Sequence, residues 1–159
     1  MDHFELKGPL GPRLALTPEL TGKFLAIGAG TGIMPFLDLV EMMIDLKQQN
    51  TGSVYSLDLL NPQFSLLLYV SFRSSKDNFA KQLLERAAQS FQNEPERFTL
   101  VLTYDEDKTG EKLNADMLQR RIDAEKLTRS WICGPPGFNK FALDTVLAAG
   151  VARKVVMVL

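Results

Sequence analysis

Two glycine-rich stretches carry the residue types that phosphate binding requires. Ile27-Gly28-Ala29-Gly30-Thr31-Gly32-Ile33-Met34-Pro35 follows one apolar run, and Cys133-Gly134-Pro135-Pro136-Gly137 follows another. Glycines let a backbone approach a ligand closely, and the free amides at a helix start attract an anion. The first stretch is not a G-x-G-x-x-G fingerprint, because its glycines alternate with other residues. No Gly-Lys-Ser or Gly-Lys-Thr follows it to make a P-loop. Alone, each turn is equally well explained by tight packing between a strand and a helix, and Cys133 alone by buried filler. The pair, at the ends of two different strands, points to one site with Cys133 directed into it.

The elements that must position these turns follow from periodicity. Lys23 to Ile27 reads as a buried strand, and Phe36 to Gln48 as a helix with Pro35 in its first turn. Ser65 to Phe72 is apolar on both faces and reads as an interior strand. Asn78 to Phe91 has helical amphipathicity, Phe98 to Tyr104 is strand-like, and Asp116 to Ala124 reads as a short helix. Ser130 to Cys133 gives a fourth strand, Phe138 to Ala149 a helix and Val155 to Leu159 a fifth strand. This βαβαβαβαβ succession predicts an α/β fold, a five-stranded parallel sheet with helices on both faces. In such sheets ligands sit beyond the carboxyl ends of the strands, where helices diverge to opposite faces. Residues 50–64 are irregular and long for such a connection, and read as a surface insertion.

Bulk properties narrow the class. The 159 residues suffice for one domain with a real core, and 45% hydrophobic with 23% charged residues is an ordinary globular balance. A net charge of −1 argues against a nucleic-acid partner. The one cysteine excludes an internal disulfide and suits a reducing compartment, and the one histidine, His3, makes a histidine-based metal site improbable. No apolar run spans a bilayer and no signal-peptide pattern opens the chain, so the expected location is intracellular. Attachment to a membrane surface would need segments outside these residues. Near the start, Phe4 and Leu6 alternate with polar residues before Gly8-Pro9, as in one strand entering a turn. Residues 1–16 are then the tail of a preceding domain or an edge strand of this one.

The combination of GTGIMPFLDL and CGPPGF at this spacing resembles the pyridine-nucleotide domain of the ferredoxin–NADP reductase superfamily. The branch it resembles is that of cytochrome b5 reductase and nitrate reductase, whose motifs usually read GGTGITPML and CGPPPM. YVSFRSSKDNFAKQLLE is similar to the family's N-R-T-x-x-D-I-L element, and RFTLVLTYDED to its RF-x-L-x-Y-T-L-D strand. FELKGPLG resembles the end of the flavin-binding β-barrel that precedes this domain in the family. The likeness covers nearly the whole chain except 50–64, leaving 17–159 as the nucleotide-binding domain.

That resemblance implies a site. Gly30, Thr31 and Gly32, with Gly28, Ile33 and Pro35 in the same motif, would lie at the pyrophosphate of NAD(P)H. Cys133 would sit by the nicotinamide as a positioning residue and not a nucleophile. Gly134 and Pro135 would shape the loop, Pro136 would wall the adenosine side, and Phe138 would complete the motif. Arg73 and Asp77 would flank the adenosine ribose: the cation suits a 2′-phosphate, the carboxylate suits bare hydroxyls, and Asp77 favours NADH. Two residues depart from the pattern, Met34 for the threonine before proline and Leu159 for a terminal aromatic. The family's R-x-Y-S/T flavin element is absent here, so FAD is expected in a flavin-binding domain upstream in the same chain. Hydride would pass to its N5, and electrons would leave singly to a haem or iron–sulfur acceptor. The isolated domain is expected to bind nucleotide and catalyse nothing. The alternatives are a nucleotide-sensing or interaction module that kept only the fold, and an FMN binder of flavodoxin type, against which CGPPGF argues.

Overall fold

In the computed structural model, residues 14–48 and 60–159 are described. The proposed N-terminal strand and residues 50–59 of the proposed insertion lie outside them. Among the described residues five strands form the sheet: β1 Gly22–Ala29, β2 Phe64–Phe72, β3 Phe98–Tyr104, β4 Leu127–Cys133 and β5 Val156–Val158. Four α-helices alternate with them: α1 Met34–Gln48, α2 Lys81–Ser90, α3 Ala115–Arg121 and α4 Pro136–Ala148. All pairings of these strands are parallel and the spatial order is β3-β2-β1-β4-β5. The expected α/β architecture is therefore what the chain adopts.

Strand alternation sorts the apolar residues into two cores. Phe24, Ala26, Leu66, Leu68, Val70 and Trp131 meet Phe36, Val40, Leu84 and Ala87, which come from α1 and α2. Leu25, Ile27, Tyr69 and Ile132 point the other way and meet Met117, Leu118, Ala142 and Val146 from α3 and α4. A stack of three rings spans the first core. Phe24 lies between Phe64, at a centroid distance of 4.1 Å, and Trp131, at 5.4 Å, its plane within 14° of each. Offset aromatic stacks of this kind contribute beyond their buried area.

Several boundaries differ from the sequence-based expectation, each for a local reason. Phe64 opens β2 and is fully buried, and Leu60 is buried as well, so the stretch assigned to an insertion has re-entered the core by its end. The Asn61-Pro62 break hides this in the sequence. Asn61 folds the chain back, its side-chain oxygen accepting from Gln63 N at 2.9 Å and its carbonyl from Phe64 N at 2.9 Å. Helix α2 starts at Lys81, because Ser75–Asp77 forms a separate 3-10 turn. Asn114 caps α3 by accepting from Met117 N at 2.8 Å, and the helix stops at Arg121 where Ile122 turns extended. Strand β4 begins three residues before SWIC, at Leu127, which is buried in the second core while Thr128 after it faces solvent and interrupts the apolar run. Leu14, Leu16 and Leu20 pack against the first core, and Arg129 donates to the Leu14 and Ala15 carbonyls. No helix among the described residues is long and apolar enough to cross a membrane.

Candidate functional site

The strand order places the switch point between β1 and β4. From β1 the chain enters α1 on one face, and from β4 it enters α4 on the other, the arrangement that in open parallel sheets leaves a crevice beyond the carboxyl ends of the strands. Gly28 and Cys133 are register partners across that junction. Gly32, in the 3-10 turn Gly30–Ile33, lies against the second glycine turn. A Cβ on Gly32 would stand 2.1 Å from the Cys133 carbonyl oxygen and 2.7 Å from Gly134 Cα. The two motifs read separately in the sequence are thus one surface, joined backbone to backbone.

Glycines at this site serve two purposes. Gly32 is there for contact between turns. Gly30 has φ +54 and no atom within 4 Å of where a Cβ would go, so it makes a backbone bend beside open space. Gly137 also faces open space. Neither the Gly30–Ile33 turn nor α4 has a side-chain cap, and neither they nor α1 carry an acid in the first turn. Helix starts left without an internal anion are positive ends that a phosphate can fill.

The other motif residues separate by exposure. Thr31, Pro35, Pro135 and Pro136 are not buried, whereas Ile33 is fully buried in the core. The Ile33 side chain therefore packs and cannot meet a nucleotide. Pro136 is the first residue of α4, where its missing N–H costs nothing. Phe138 is half-buried and its ring lies under Gly134, with Cδ1 2.8 Å from where a Gly134 Cβ would be. Met34 is exposed, and Leu159 N donates to Ile132 O at 2.9 Å, which leads the chain along the strand end that bears Cys133.

Cys133 is half-buried, and burial pushes its thiol above the ordinary range. That favours the thiol over the thiolate, so the side chain offers a small polarizable surface at the strand end. Iodoacetamide at about pH 7.5 is expected to alkylate Cys133 about tenfold more slowly than free cysteine. A faster reaction, followed by mass spectrometry, would mean that the thiolate is stabilised after all.

On the β2 side of the edge, Arg73 and Asp77 occupy the loop after Phe72. Each already has a partner. Arg73 Nε donates to Glu106 Oε1 at 2.5 Å. Asp77 Oδ2 accepts from Ser74 N at 3.0 Å and from Ser74 Oγ at 2.7 Å, in a capping box around the 3-10 turn. Phe79, exposed, sets its edge against Phe72, and Tyr104 lies over the same ring while accepting from Asn78 Nδ2 at 2.8 Å. Sequence reasoning missed Glu106 and its neighbour Asp107. The signal available was a run of three acids directly after a parallel strand, in YDEDKTG. Among the described residues no group of three or more His, Cys, Asp or Glu side chains is placed to hold a metal ion.

Comparison with known proteins agrees with this geometry. The model of the oxidoreductase NAD-binding domain matches residues 26–144, which run from β1 through both glycine turns into α4. One component of the Escherichia coli 1,2-phenylacetyl-CoA epoxidase is 26% identical over 151 residues, covering 87% of this chain and 36% of that protein. The cytochrome b5 reductase domain of Ulva prolifera nitrate reductase superposes with a TM-score of 0.63 at 20% identity, over 87% of this chain and 49% of that one. The flavohaem-like FAD/NAD-binding domain of Vibrio cholerae nitric oxide dioxygenase gives a TM-score of 0.64 at 22% identity, over 95% of this chain and 56% of that one. The chain spans about a third of the curated relative and about half of each solved chain. By its matched domain and its fold, the chain belongs to the oxidoreductase NAD-binding domain family.

Proposed function

We propose that this chain is the NAD(P)H-binding half of a flavin-dependent reductase, with NADH favoured. The observation that carries the reading is the contact between Gly32 and the Cys133–Gly134 backbone. It joins two uncapped positive turns into one crevice at the switch point, with open space beside Gly30 and Gly137. Gly30, Thr31 and the first turns of α1 and α4 would hold the pyrophosphate. Cys133, a neutral thiol, would wall the nicotinamide end, and the loop 73–77 would face the adenosine ribose. When bound, a reduced nicotinamide supplies a hydride. The work of this chain's residues is to hold that group still at the crevice mouth and keep water from one of its faces.

The hydride acceptor in this reading is FAD in a flavin-binding domain of the same chain, outside these residues. The family relatives, each much longer than this chain, support that arrangement. Electrons then pass singly to a haem or iron–sulfur acceptor.

Calorimetric titration of the full chain with ADP-ribose and with NADH tests the reading. Both are expected to bind, with no NADH oxidation until a flavin-binding domain is supplied. Absence of binding at millimolar ligand would sink it and leave a module that kept the fold without the ligand.

A further inference from the structure

Beyond β3 the chain makes a closed turn, with Tyr104 N donating to Thr109 O at 3.1 Å and Thr109 N to Tyr104 O at 3.3 Å. Lys108 takes a left-handed conformation, at φ 51, to complete it. Gly110, at φ 83, fits where a Cβ would meet Leu102 O at 2.1 Å, so the turn is held down on its own strand. Its tip carries Asp105, Glu106 and Asp107, all exposed. The backbone of this tip is bonded to the neighbouring loop, through Asp105 N to Phe72 O at 3.1 Å and Glu106 N to Arg73 O at 2.8 Å. The acids therefore have a fixed position and do not sweep freely through solvent.

Their side chains complete the pattern. Glu106 takes Arg73 Nε, Asp107 Oδ2 takes Ser75 N at 2.9 Å, and Asp77 takes Ser74 N and Oγ. These four donors of loop 73–75, which could otherwise turn to an added phosphate, each face a carboxylate. A phosphate reaching these donors would have to displace carboxylates, and one bound through the remaining Arg73 N–H groups would still sit among like charges. A ribose with free hydroxyls faces the opposite situation, since hydroxyls donate to carboxylate oxygens.

We propose that Glu106 and Asp107, on the turn after β3, are the specificity-determining residues that exclude a 2′-phosphorylated adenosine ribose by occupying Arg73 and Ser75. Asp77, the acid to which the sequence resemblance gave this role, is committed to capping its own turn. The inference rests on the nucleotide-binding reading above and adds which groups discriminate.

The test measures dissociation constants for ADP-ribose and 2′-phospho-ADP-ribose on the full chain, at low and moderate ionic strength. The proteins compared are the wild type, Glu106→Gln with Asp107→Asn, the conservative Glu106→Asp, and Asp77→Asn. The wild type is expected to favour ADP-ribose. The double substitution should move the affinity ratio toward the phosphorylated ligand by about tenfold or more, most strongly at low salt. Glu106→Asp should stay near the wild-type ratio. A merely loosened loop would weaken both ligands together and leave the ratio in place. An unmoved ratio with ADP-ribose still binding, or a ratio that responds to Asp77→Asn instead, overturns the inference alone. Failure of the wild type to bind either ligand overturns the nucleotide-binding reading, and the inference with it.

Discussion

Replacing Gly32 with alanine is expected to weaken ADP-ribose binding by at least about tenfold, or about 1.4 kcal/mol, and to destabilise the fold as well. The added methyl would stand 2.1 Å from the Cys133 carbonyl oxygen and 2.5 Å from its carbonyl carbon. Those atoms are backbone in the last residue of β4, which pairs with Gly28 of β1, so no side chain can swing aside. The turns must part instead. Overpacking of this kind costs about 1–3 kcal/mol, and parting moves the positive turn ends that a pyrophosphate would need together. Gly137→Ala is the matched control, because nothing lies within 4 Å of its Cβ position and it sits in the first turn of a helix. That variant should keep or gain stability, by up to about 1 kcal/mol. Chemical denaturation and calorimetry on both variants decide the matter. If Gly32→Ala binds ADP-ribose as the wild type does, the join between the turns is not part of the site.

The second large effect is on stability. Trp131→Ala is expected to cost about 3–5 kcal/mol, because it empties a fully buried position at the end of the Phe64–Phe24–Trp131 stack. Against a total stability of about 5–15 kcal/mol this is a large fraction, and the melting midpoint should fall by roughly 10 °C or more. Trp131→Phe separates packing from polarity. The indole Nε1 is buried without a hydrogen-bond partner among the described residues, so phenylalanine keeps an aromatic face and removes an unsatisfied donor. Its cost should stay below about 1.5 kcal/mol. Equal melting midpoints for the two variants would show that ring stacking contributes nothing at that position.

How much of this is legible in the sequence depends on the range of the interaction. The strands with both faces apolar, such as SLLLYVSF, and the helix behind Pro35 are readable, because burial on two faces and a fixed φ are local properties. The location of the crevice is readable too, since strand–helix alternation limits which turns share a sheet edge. Ile33 shows the limit: it sits in the first motif, yet it is packed in the core, and a motif does not say which way a side chain points. Glu106 shows it more clearly. Its partner Arg73 lies on another loop, and only the pairing of β2 with β3 brings the two together. The motif assigns Gly32 to the ligand, whereas its missing Cβ is required by the backbone of a turn far along the chain.

That last contact also bears on how the molecule is made. During synthesis β1, β2 and β3 can pair while β4 is still unformed, so most of a sheet precedes the second wall of the crevice. The loop that finishes the crevice comes from late in the chain, and joining it to Gly32 closes a span from residue 32 to residue 133. In the proposed reading a nucleotide would touch both turns, so it would bind only chains in which they have met and would draw the folding equilibrium toward them.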